Sequence, residues 1–408
     1  MVRAPCRTVS ARYRDEWREE LDDWLVPFRR RFRHIAQQRW VTPYLLGLLG
    51  PGERKSVEPI AERVAPGEKE QLHHFVATSK WDTSPLEDEL LSRADEMLGG
   101  DDAYLVVDDT GIPKKGEHSV GVAHQYCGQL GKQANSQCMV SVTLARHETP
   151  LPVALRLYLP KEWADDRERC RKVGVPDDIL FRTKWRIALD EIDRIVKRKV
   201  RFGVVLADAG YGACSDFRKA LTARGLRWAL GISPDLVMYP ADVEVTTPAK
   251  AAIGRPRKHG VPSTEARAVH AIIDALPKRA FKRITWRVGT KGDLTAEFAA
   301  VRVRPSDGAL IARGKHLPGD EGWLVCERRA GGELKYHLTN HDAATPLKTI
   351  AADIKARWAC EIAHQQLKQE LGLGHFEGRS WHGLHHHAVL SMIAFAFLEH
   401  MRSPENKA

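Results

Sequence analysis

Two short apolar segments that end in acidic residues constrain the fold of this chain more than any other feature. They are residues 104–109 and 202–208. Short apolar runs bounded by polar residues are typical of strands that are buried on both faces. Such strands build α/β sheets, in which functional groups gather at the carboxyl ends of the strands. The pattern therefore predicts an α/β core with Asp109 and Asp208 at one edge of its sheet.

The rest of the sequence divides into regions of different periodicity. Apolar residues recur at helical spacing in the first hundred residues, and Ser84-Pro85 and Gly99-Gly100 are typical start and stop signals for one helix. Strand and helix patterns then alternate, strand-like runs follow, and a long helical pattern from residue 346 runs past Lys368. We predict a helical N-terminal domain, a core in two parts and a β-rich insertion between them, at residues 1–100, 101–233 with 346–408, and 234–345.

Basic residues exceed acidic ones, with a net charge of +10 and a pI near 9.2. This balance is compatible with a polyanionic partner, most often nucleic acid, and also with an ordinary soluble bacterial protein, many of which are equally basic. One basic cluster contains Arg29, Arg30, Arg31 and Arg33. A Gly-Arg-Pro-Arg segment contains Arg255 and Arg257, and an extended segment of this kind fits a narrow minor groove. Both segments are also compatible with a solvated surface or a basic linker.

Cysteine usage and hydropathy exclude several classes of protein. The seven cysteines form no Cys-x-x-Cys pair, which favours reduced thiols over a disulfide framework or a zinc ribbon. No apolar stretch approaches the roughly 18 residues of a membrane span, and no secretory signal is recognisable. Residues 382–387 contain four histidines, which we interpret as the polar start of a helix and not as a metal site. We expect a cytoplasmic protein that has no membrane partner.

A third acidic residue, Glu361, lies in the long helical pattern with Arg357 and Lys368. At about 100° per residue, these three side chains share one helix face. Phosphoryl transfer on a nucleic-acid backbone uses two divalent cations about 3.5–4 Å apart, and carboxylates are their preferred protein ligands. Two strand-end acids and one helical acid provide such a set. Each strand-end acid is also compatible with a helix cap, and the helical residues with ordinary i,i+4 salt bridges.

The acidic segments together resemble the motifs of bacterial insertion-sequence transposases of the DDE superfamily, in the branch with an RNase H-like core. Residues 108–111, Asp-Asp-Thr-Gly, are similar to the first motif, and residues 206–212 are similar to the second. The resemblance covers about residues 100–400. It implies an RNase H-like mixed sheet with a helical N-terminal domain and a β-rich insertion between the second Asp and the Glu.

The third motif of that branch is a Y-R-E-K signature. Arg357, Glu361 and Lys368 match its last three positions at the right spacing, while Ile354 occupies the Tyr position. By resemblance, Arg357 and Lys368 contact the DNA backbone near the cleaved end. The departure at Ile354 removes any phosphate contact that a Tyr hydroxyl would make.

The resemblance also implies the metal ligands. Asp109, Asp208 and Glu361 would be the catalytic residues and would hold two Mg²⁺ ions, for which Mn²⁺ substitutes. Neighbouring residues of a strand point to opposite faces, so only one of Asp108 and Asp109 is expected to bind metal. We expect Asp109, because the motif acid directly precedes Thr110.

The activity implied is metal-dependent DNA cleavage and strand transfer at the ends of an insertion sequence. Its partners would be the terminal inverted repeats and target DNA, bound by a homodimer on the bacterial nucleoid, with residues 1–100 binding the ends. Two alternatives remain. One is a phosphohydrolase of the haloacid dehalogenase type, although Thr110 stands where that nucleophile loop has its second Asp. The other is a non-catalytic DNA-binding descendant of a transposase.

Overall fold

The computed structural model describes residues 11–247, 259–289 and 292–403. Arg255 and Arg257, the basic pair of the Gly-Arg-Pro-Arg segment, lie outside the described residues. Among the described residues, no helix is long and apolar enough to cross a membrane.

The first part of the chain is helical, as the periodicity predicts. Its elements are α1 (Ala11–Arg29), α2 (Ile35–Leu49), α3 (Val57–Val64), α4 (Lys69–His73), a π-helical turn (His74–Thr78) and α5 (Ser84–Leu98). Helix α5 has the predicted bounds, with Pro85 in its first turn and Gly99 directly after its last residue. Leu86, Leu90 and Ala94 are fully buried and fix this helix to the core.

The core alternates strands and helices. Its elements are β1 (Tyr104–Pro113), β2 (Ala123–Cys127), β3 (Lys132–Arg146), β4 (Thr149–Leu157), α6 (Lys161–Asp165), α7 (Arg167–Lys172), α8 (Lys184–Lys197), β5 (Val204–Ala207), α9 (Ala209–Gly212), α10 (Ser215–Ala223) and β6 (Trp228–Ile232). Strand β3 pairs antiparallel with β1 and β4, while β5 pairs parallel with β1 and β6. The order β4-β3-β1-β5-β6, with these directions, is that of an RNase H-like mixed sheet, so the predicted fold class is confirmed.

Strand β1 is longer than its apolar pattern indicates. The sequence places its end near Asp109, but β1 continues to Pro113 because β3 pairs with it along its whole length. Strand β5 ends at Ala207, and Asp208 follows directly as the N-cap of α9. One acidic segment is therefore inside a strand and the other is at a strand end, on neighbouring parallel strands.

The segment between β6 and the last helices is rich in strands. Its elements are β7 (Val237–Pro240), β8 (Val245–Thr246), β9 (Val261–Pro262), β10 (Arg267–Ala268), α11 (Val269–Asp274), a 3₁₀ turn (Lys278–Ala280), β11 (Lys282–Gly289), β12 (Gly292–Pro305), β13 (Leu310–Ala312), β14 (Lys315–His316), β15 (Gly322–Arg328) and β16 (Leu334–Thr339). Strand β16 pairs antiparallel with β6, and β15 and β12 follow. The insertion thus extends the core sheet, which has 12 strands in the described residues.

The last segment returns to helices. They are α12 (Leu347–Ala356), α13 (Trp358–Gln369), a 3₁₀ turn (Leu373–His375) and α14 (Trp381–Arg402). The single helix predicted from residue 346 is thus two helices that meet at Arg357. Helix α12 packs on β11, β6, β12 and β5, and α13 packs on β4, β3 and β1, while α14 packs on β4 and on the N-terminal helices. Buried Leu390, Phe395 and Phe397 fill that second interface.

Candidate active site

The two faces of β1 and β5 carry different side chains. Val106 and Leu206 pack in a small apolar cluster with Ile354 of α12 and Cys360 of α13. Their neighbours on each strand belong instead to the larger core on the other face. Since side chains alternate along a strand, the residues two positions after Val106 and Leu206 face α13 again. Those residues are Asp108 and Asp208.

Asp108 contacts the helix that carries the third acid. Its Oδ2 accepts a hydrogen bond from Arg357 Nη1 at 2.9 Å, and Cys360 Sγ lies 3.2 Å from the same oxygen. The register continues from the paired Val107 and Ala207, which brings Asp108 beside Asp208. The first strand therefore contributes Asp108 to the surface that faces α13.

Asp208 is half-buried at the start of α9. Its Oδ1 accepts hydrogen bonds from the backbone N–H groups of Gly210 and Tyr211, at 3.0 and 3.3 Å. Burial, followed by the negative charge of Asp108, raises the pKa of this carboxyl above its ordinary value. Two carboxylates that repel each other in a partly desolvated position are a favourable site for a cation.

Glu361 lies one turn after Arg357, as the helical spacing predicts. Arg357 Nη2 donates to Glu361 Oε1 at 2.6 Å, so this guanidinium bridges Glu361 and Asp108. Lys368, two turns further along α13, is partly buried, and burial lowers its pKa while Cys127 and Asp108 act in the opposite direction. Arg357, Glu361 and Lys368 therefore lie on the side of α13 that faces Asp108.

A cavity of about 1010 Å³ opens beside these residues, lined by Asp208 and Glu361 at one end and by strands of the insertion at the other. Its basic lining residues are Arg287, Arg329, Lys335, Lys355 and Arg357. Its aromatic lining residues are Trp286, Tyr336 and Trp358. Ile354, at the Tyr position of the signature, lines the same cavity with an apolar side chain. A cleft with this lining attracts a polyanion toward the carboxylates.

The carboxylates suit a hard divalent cation, since their oxygens are the ligands that magnesium and manganese prefer. In the described part of the chain, however, no group of three His, Cys, Asp or Glu side chains is close enough to hold a metal ion. The contacts explain this spacing, because the Arg357 guanidinium lies between Asp108 and Glu361. The carboxylates come together around a cation that the chain itself supplies.

Asp109, the residue expected from the motif, faces the opposite side of the sheet. Its Oδ2 accepts from Lys184 Nζ at 2.5 Å, and its Oδ1 accepts from the Tyr211 hydroxyl at 2.7 Å. The structure thus brings Asp208 and Glu361 into one cavity lining but does not bring Asp109 to the same face. The strand periodicity indicated that Asp108 and Asp109 diverge, but it did not indicate which of them faces α13.

The basic cluster near the N-terminus is partly neutralised. Arg29 pairs with Asp22 at 3.0 Å, and Arg31 pairs with Glu89 at 2.8 Å. The side chains of Arg30 and Arg33 are exposed. Two of the four arginines therefore have acidic partners within the folded chain, and the other two face solvent.

Sequence reasoning missed His364, which fastens α13 to the sheet. Its Nε2 lies 2.7 Å from the Ser141 hydroxyl, which also donates to the backbone carbonyl of Asp108 at 3.0 Å. Burial lowers the pKa of His364 to about 4, so the ring is neutral near pH 7. The one available signal was its spacing of three residues from Glu361, on a neighbouring helix face.

The histidines lie at the start of α14, as the sequence predicts, but His386 and His387 are buried and have structural partners. His386 lies between the backbone carbonyls of Val76 and Trp81, each at 2.9 Å, and its ring stacks on Trp81. His387 lies 2.8 Å from the Tyr44 hydroxyl. Burial lowers the pKa of both histidines to about 4. They join α14 to the N-terminal helices.

Comparisons with known proteins identify the family of the chain. The family model described as DDE superfamily endonuclease matches residues 27–293. A probable transposase for insertion sequence element IS701 from Microchaete diplosiphon is 31% identical over 167 residues, which are 41% of this chain and 41% of that protein. The match thus spans well under half of that relative.

A solved structure of the piggyBac transposase synaptic complex with hairpin DNA aligns with 9% identity and a TM-score of 0.39, covering 91% of this chain and 73% of that one. The family assignment rests on the sequence match, which includes β1, β5 and the acidic residues that follow their apolar runs. The chain belongs to the DDE superfamily endonucleases.

Proposed function

We propose that this chain is an insertion-sequence transposase that cleaves DNA at the ends of its element and joins those ends to a target. The observation that supports the proposal most strongly is the arrangement of Asp108, Asp208 and Glu361 around Arg357 beside a basic cavity. The family match removes the haloacid dehalogenase alternative, since it includes the segment on which that alternative depended. The non-catalytic alternative is left to experiment.

Asp108, in place of Asp109, is our proposed first metal ligand, together with Asp208 and Glu361. The reason is its face, since Asp108 contacts the helix of Glu361 whereas both oxygens of Asp109 are bonded to Lys184 and Tyr211. Two Mg²⁺ ions, or Mn²⁺ in their place, would activate the attacking oxygen and stabilise the leaving one.

Arg357 and Lys368 would act on the DNA backbone. Arg357 is held by two carboxylates, and a phosphate, which offers two oxygens to the planar guanidinium, can replace them. Lys368 offers a point charge further along the same helix. His364 is neutral and bound to Ser141, so it keeps α13 in position and carries no charge to the phosphate.

DNA of the terminal repeats and of the target would run along the cavity and across the N-terminal helices. The supporting features are the net charge of +10 and the basic lining of the cavity. Arg30 and Arg33 are the exposed members of the N-terminal cluster, while Arg29 and Arg31 would have to leave acidic partners to bind phosphate. A homodimer that holds the two ends together is the assembly we propose.

The decisive experiment replaces Asp208 with Ala and measures cleavage of a duplex that carries the inverted repeat flanking the reading frame. Cleavage in Mg²⁺ or Mn²⁺ should be lost while binding of the duplex is retained, because affinity comes mostly from Lys and Arg contacts to phosphate. Lys368→Ala is the complementary variant. It should weaken capture of the cleaved end and leave Mn²⁺ binding unchanged.

A melting curve on the same preparation shows whether activity is lost only because the variant unfolds. If Asp208 only caps α9, its replacement should remove about 0.5–2 kcal/mol of stability and reduce activity only through unfolding. A folded Asp208→Ala variant that still cuts at the wild-type rate would remove this residue from the active site. Wild-type protein that binds ends but never cuts them would identify a non-catalytic descendant.

A further inference from the structure

We infer that Asp109, Tyr211 and Lys184 form a positioning unit, which sets the separation of the two aspartates that we propose as metal ligands. The inference rests on the proposed function. It assigns a role to Asp109, the acid that the motif would have placed on the metal, and to two residues that the sequence motifs do not single out.

Tyr211 contacts both of the segments that carry the aspartates. Its hydroxyl donates to Asp109 Oδ1 at 2.7 Å, and its backbone N–H donates to Asp208 Oδ1 at 3.3 Å. One residue therefore touches a carboxylate on β1 and the carboxylate after β5. Tyr211 is buried at 4% exposure, and its ring packs on Phe217, so its orientation is fixed by the core.

Each Asp109 oxygen is already hydrogen-bonded to another side chain on its own face of the sheet. Lys184, the first residue of α8, donates to Oδ2 at 2.5 Å, while Tyr211 occupies Oδ1. The Asp109 side chain is 30% exposed and that of Lys184 is 36% exposed, so water screens the pair in part. The unit therefore acts mainly through geometry, by fixing α8 and α9 to the middle of β1.

Asp109 and Asp108 are adjacent residues of β1. Adjacent residues of a strand share one backbone segment, so a carboxylate anchored on one face fixes the direction of its neighbour on the other. Tyr211 lies in α9 and fixes the start of that helix, where Asp208 is the N-cap. The distance between Asp108 and Asp208 is thus set by hydrogen bonds made on the far side of the sheet, and residues that orient metal ligands typically change metal affinity by about 10–100-fold when mutated.

The test uses the whole chain of 408 residues and Mn²⁺ as the probe. Mn²⁺ binding to the protein–DNA complex is measured by electron paramagnetic resonance, and cleavage is measured against Mg²⁺ concentration. Tyr211→Phe should weaken Mn²⁺ binding about 10–100-fold and raise the Mg²⁺ concentration needed for half-maximal cleavage by a similar factor. The cleavage rate at saturating Mg²⁺ and the affinity for DNA should change little, because no charge on the DNA-binding surface is removed.

Tyr239→Phe is the matched control. Tyr239 is also buried, and its hydroxyl donates to the backbone carbonyl of His316 at 2.8 Å within the insertion. Both variants lose one buried hydroxyl and one hydrogen bond, so their melting temperatures should fall by similar amounts. Only Tyr211→Phe should change the metal dependence. Equal metal dependence of the two variants would overturn the inference.

A second pair of variants separates positioning from ligation. Asp109→Asn should weaken Mn²⁺ binding without lowering its stoichiometry. The double variant that combines Asp109→Asn with Lys184→Met should recover part of the affinity, because it also removes the ammonium that the first change leaves unpaired. Asp108→Asn should instead lower the stoichiometry. If Asp109→Asn lowers the stoichiometry and Asp108→Asn does not, Asp109 is itself a ligand and the inference fails. If Asp208→Ala leaves Mn²⁺ binding unchanged, the proposed metal site itself is wrong, and not only the role of the positioning unit.

Discussion

Arg156 and Arg357 each join two carboxylates, and the two clusters differ in how completely the arginine is used. In the first, Arg156 of β4 bonds Glu87 of α5 and Glu191 of α8 through four hydrogen bonds of 2.5–3.3 Å. The Glu87 side chain is only 3% exposed. All partners come from the fold itself, so this cluster ties the N-terminal helices to the core.

In the second cluster, Arg357 makes one hydrogen bond to Asp108 and one to Glu361. The Glu361 side chain is 51% exposed, and it lines the large cavity. The same chemistry thus gives a closed, structural cluster in one region and an open one in the other. The difference suggests that a salt bridge is exchangeable where its partners face a cavity that admits other ions.

The largest expected effect is on cleavage. Glu361→Gln should lower the rate of end cleavage by at least about 10³-fold, since losing a metal ligand removes several kcal/mol of transition-state stabilisation. Its melting temperature should remain near the wild-type value, because exposed ion pairs contribute only about 0–1 kcal/mol. Cleavage assays and melting curves on one preparation make the comparison. A variant that unfolds would mean that the open cluster is structural after all.

The next effect is on stability in the closed cluster. Glu87→Gln should lower the free energy of unfolding by about 3–5 kcal/mol, because it leaves Arg156 buried without its full partner set. Although burial alone would raise the pKa of Glu87, Arg156 and Arg194 hold it at about 2. The folded-state pKa is therefore depressed, so this stabilisation is present above about pH 4.3 and is lost as the pH falls toward 2.

Urea unfolding at several pH values checks this prediction. The difference between wild type and Glu87→Gln should be constant near pH 7 and should shrink below about pH 4. Cleavage by the folded fraction should be unchanged. A difference that grew in acid would contradict the sign of the pKa shift.

A smaller effect is expected at Arg357. Without DNA, Arg357→Gln should bind Mn²⁺ about tenfold more tightly than wild type, because a cation no longer competes for Asp108 and Glu361. With DNA, the slope of log affinity against log salt concentration should become shallower by the amount that corresponds to about one phosphate contact. Arg329→Gln is the matched control, since Arg329 lines the same cavity but pairs with Glu333 at 3.2 Å. Weaker Mn²⁺ binding by Arg357→Gln would show that the Arg357 guanidinium does not compete with a metal ion for these carboxylates.

The smallest effect concerns Asp208 in the absence of metal. Burial and Asp108 raise its pKa, so the folded protein resists ionisation of this group. The resulting destabilisation of the folded state is absent at a pH below the ordinary pKa of an Asp carboxyl. It is fully present once the pH exceeds the raised pKa of Asp208. Asp208→Asn should therefore melt slightly above wild type near pH 7 and equally in acid. Added Mn²⁺ should reverse the order by stabilising wild type alone.

Much of the fold follows from local patterns. The apolar runs that predict β1 and β5 are confirmed as neighbouring parallel strands, and α5 has the predicted bounds, although its N-cap is Thr83 and not Ser84. The choice between Asp108 and Asp109 was beyond the sequence. Alternation separates the two residues, but the packing of α12 and α13 on one face decides which of them meets Glu361.

Other features were hidden because they depend on contacts between distant segments. The break at Arg357 lies within a continuous helical pattern, and its side chain contacts Asp108, 249 residues away in the chain. The partners of Arg156 in α5 and α8 are likewise invisible to a periodicity analysis. Strand pairing between β6 and β16 joins two regions that the composition had separated.

That pairing has a consequence for any attempt to shorten the protein. All five residues of β6 are buried. The strand pairs with β5 on one side and with β16 on the other. Deleting the insertion would turn β6 into a bare edge strand of apolar side chains, which invites edge-to-edge aggregation. The inserted strands are therefore also the cover of the catalytic sheet, and a minimal version of this protein would need a substitute for β16.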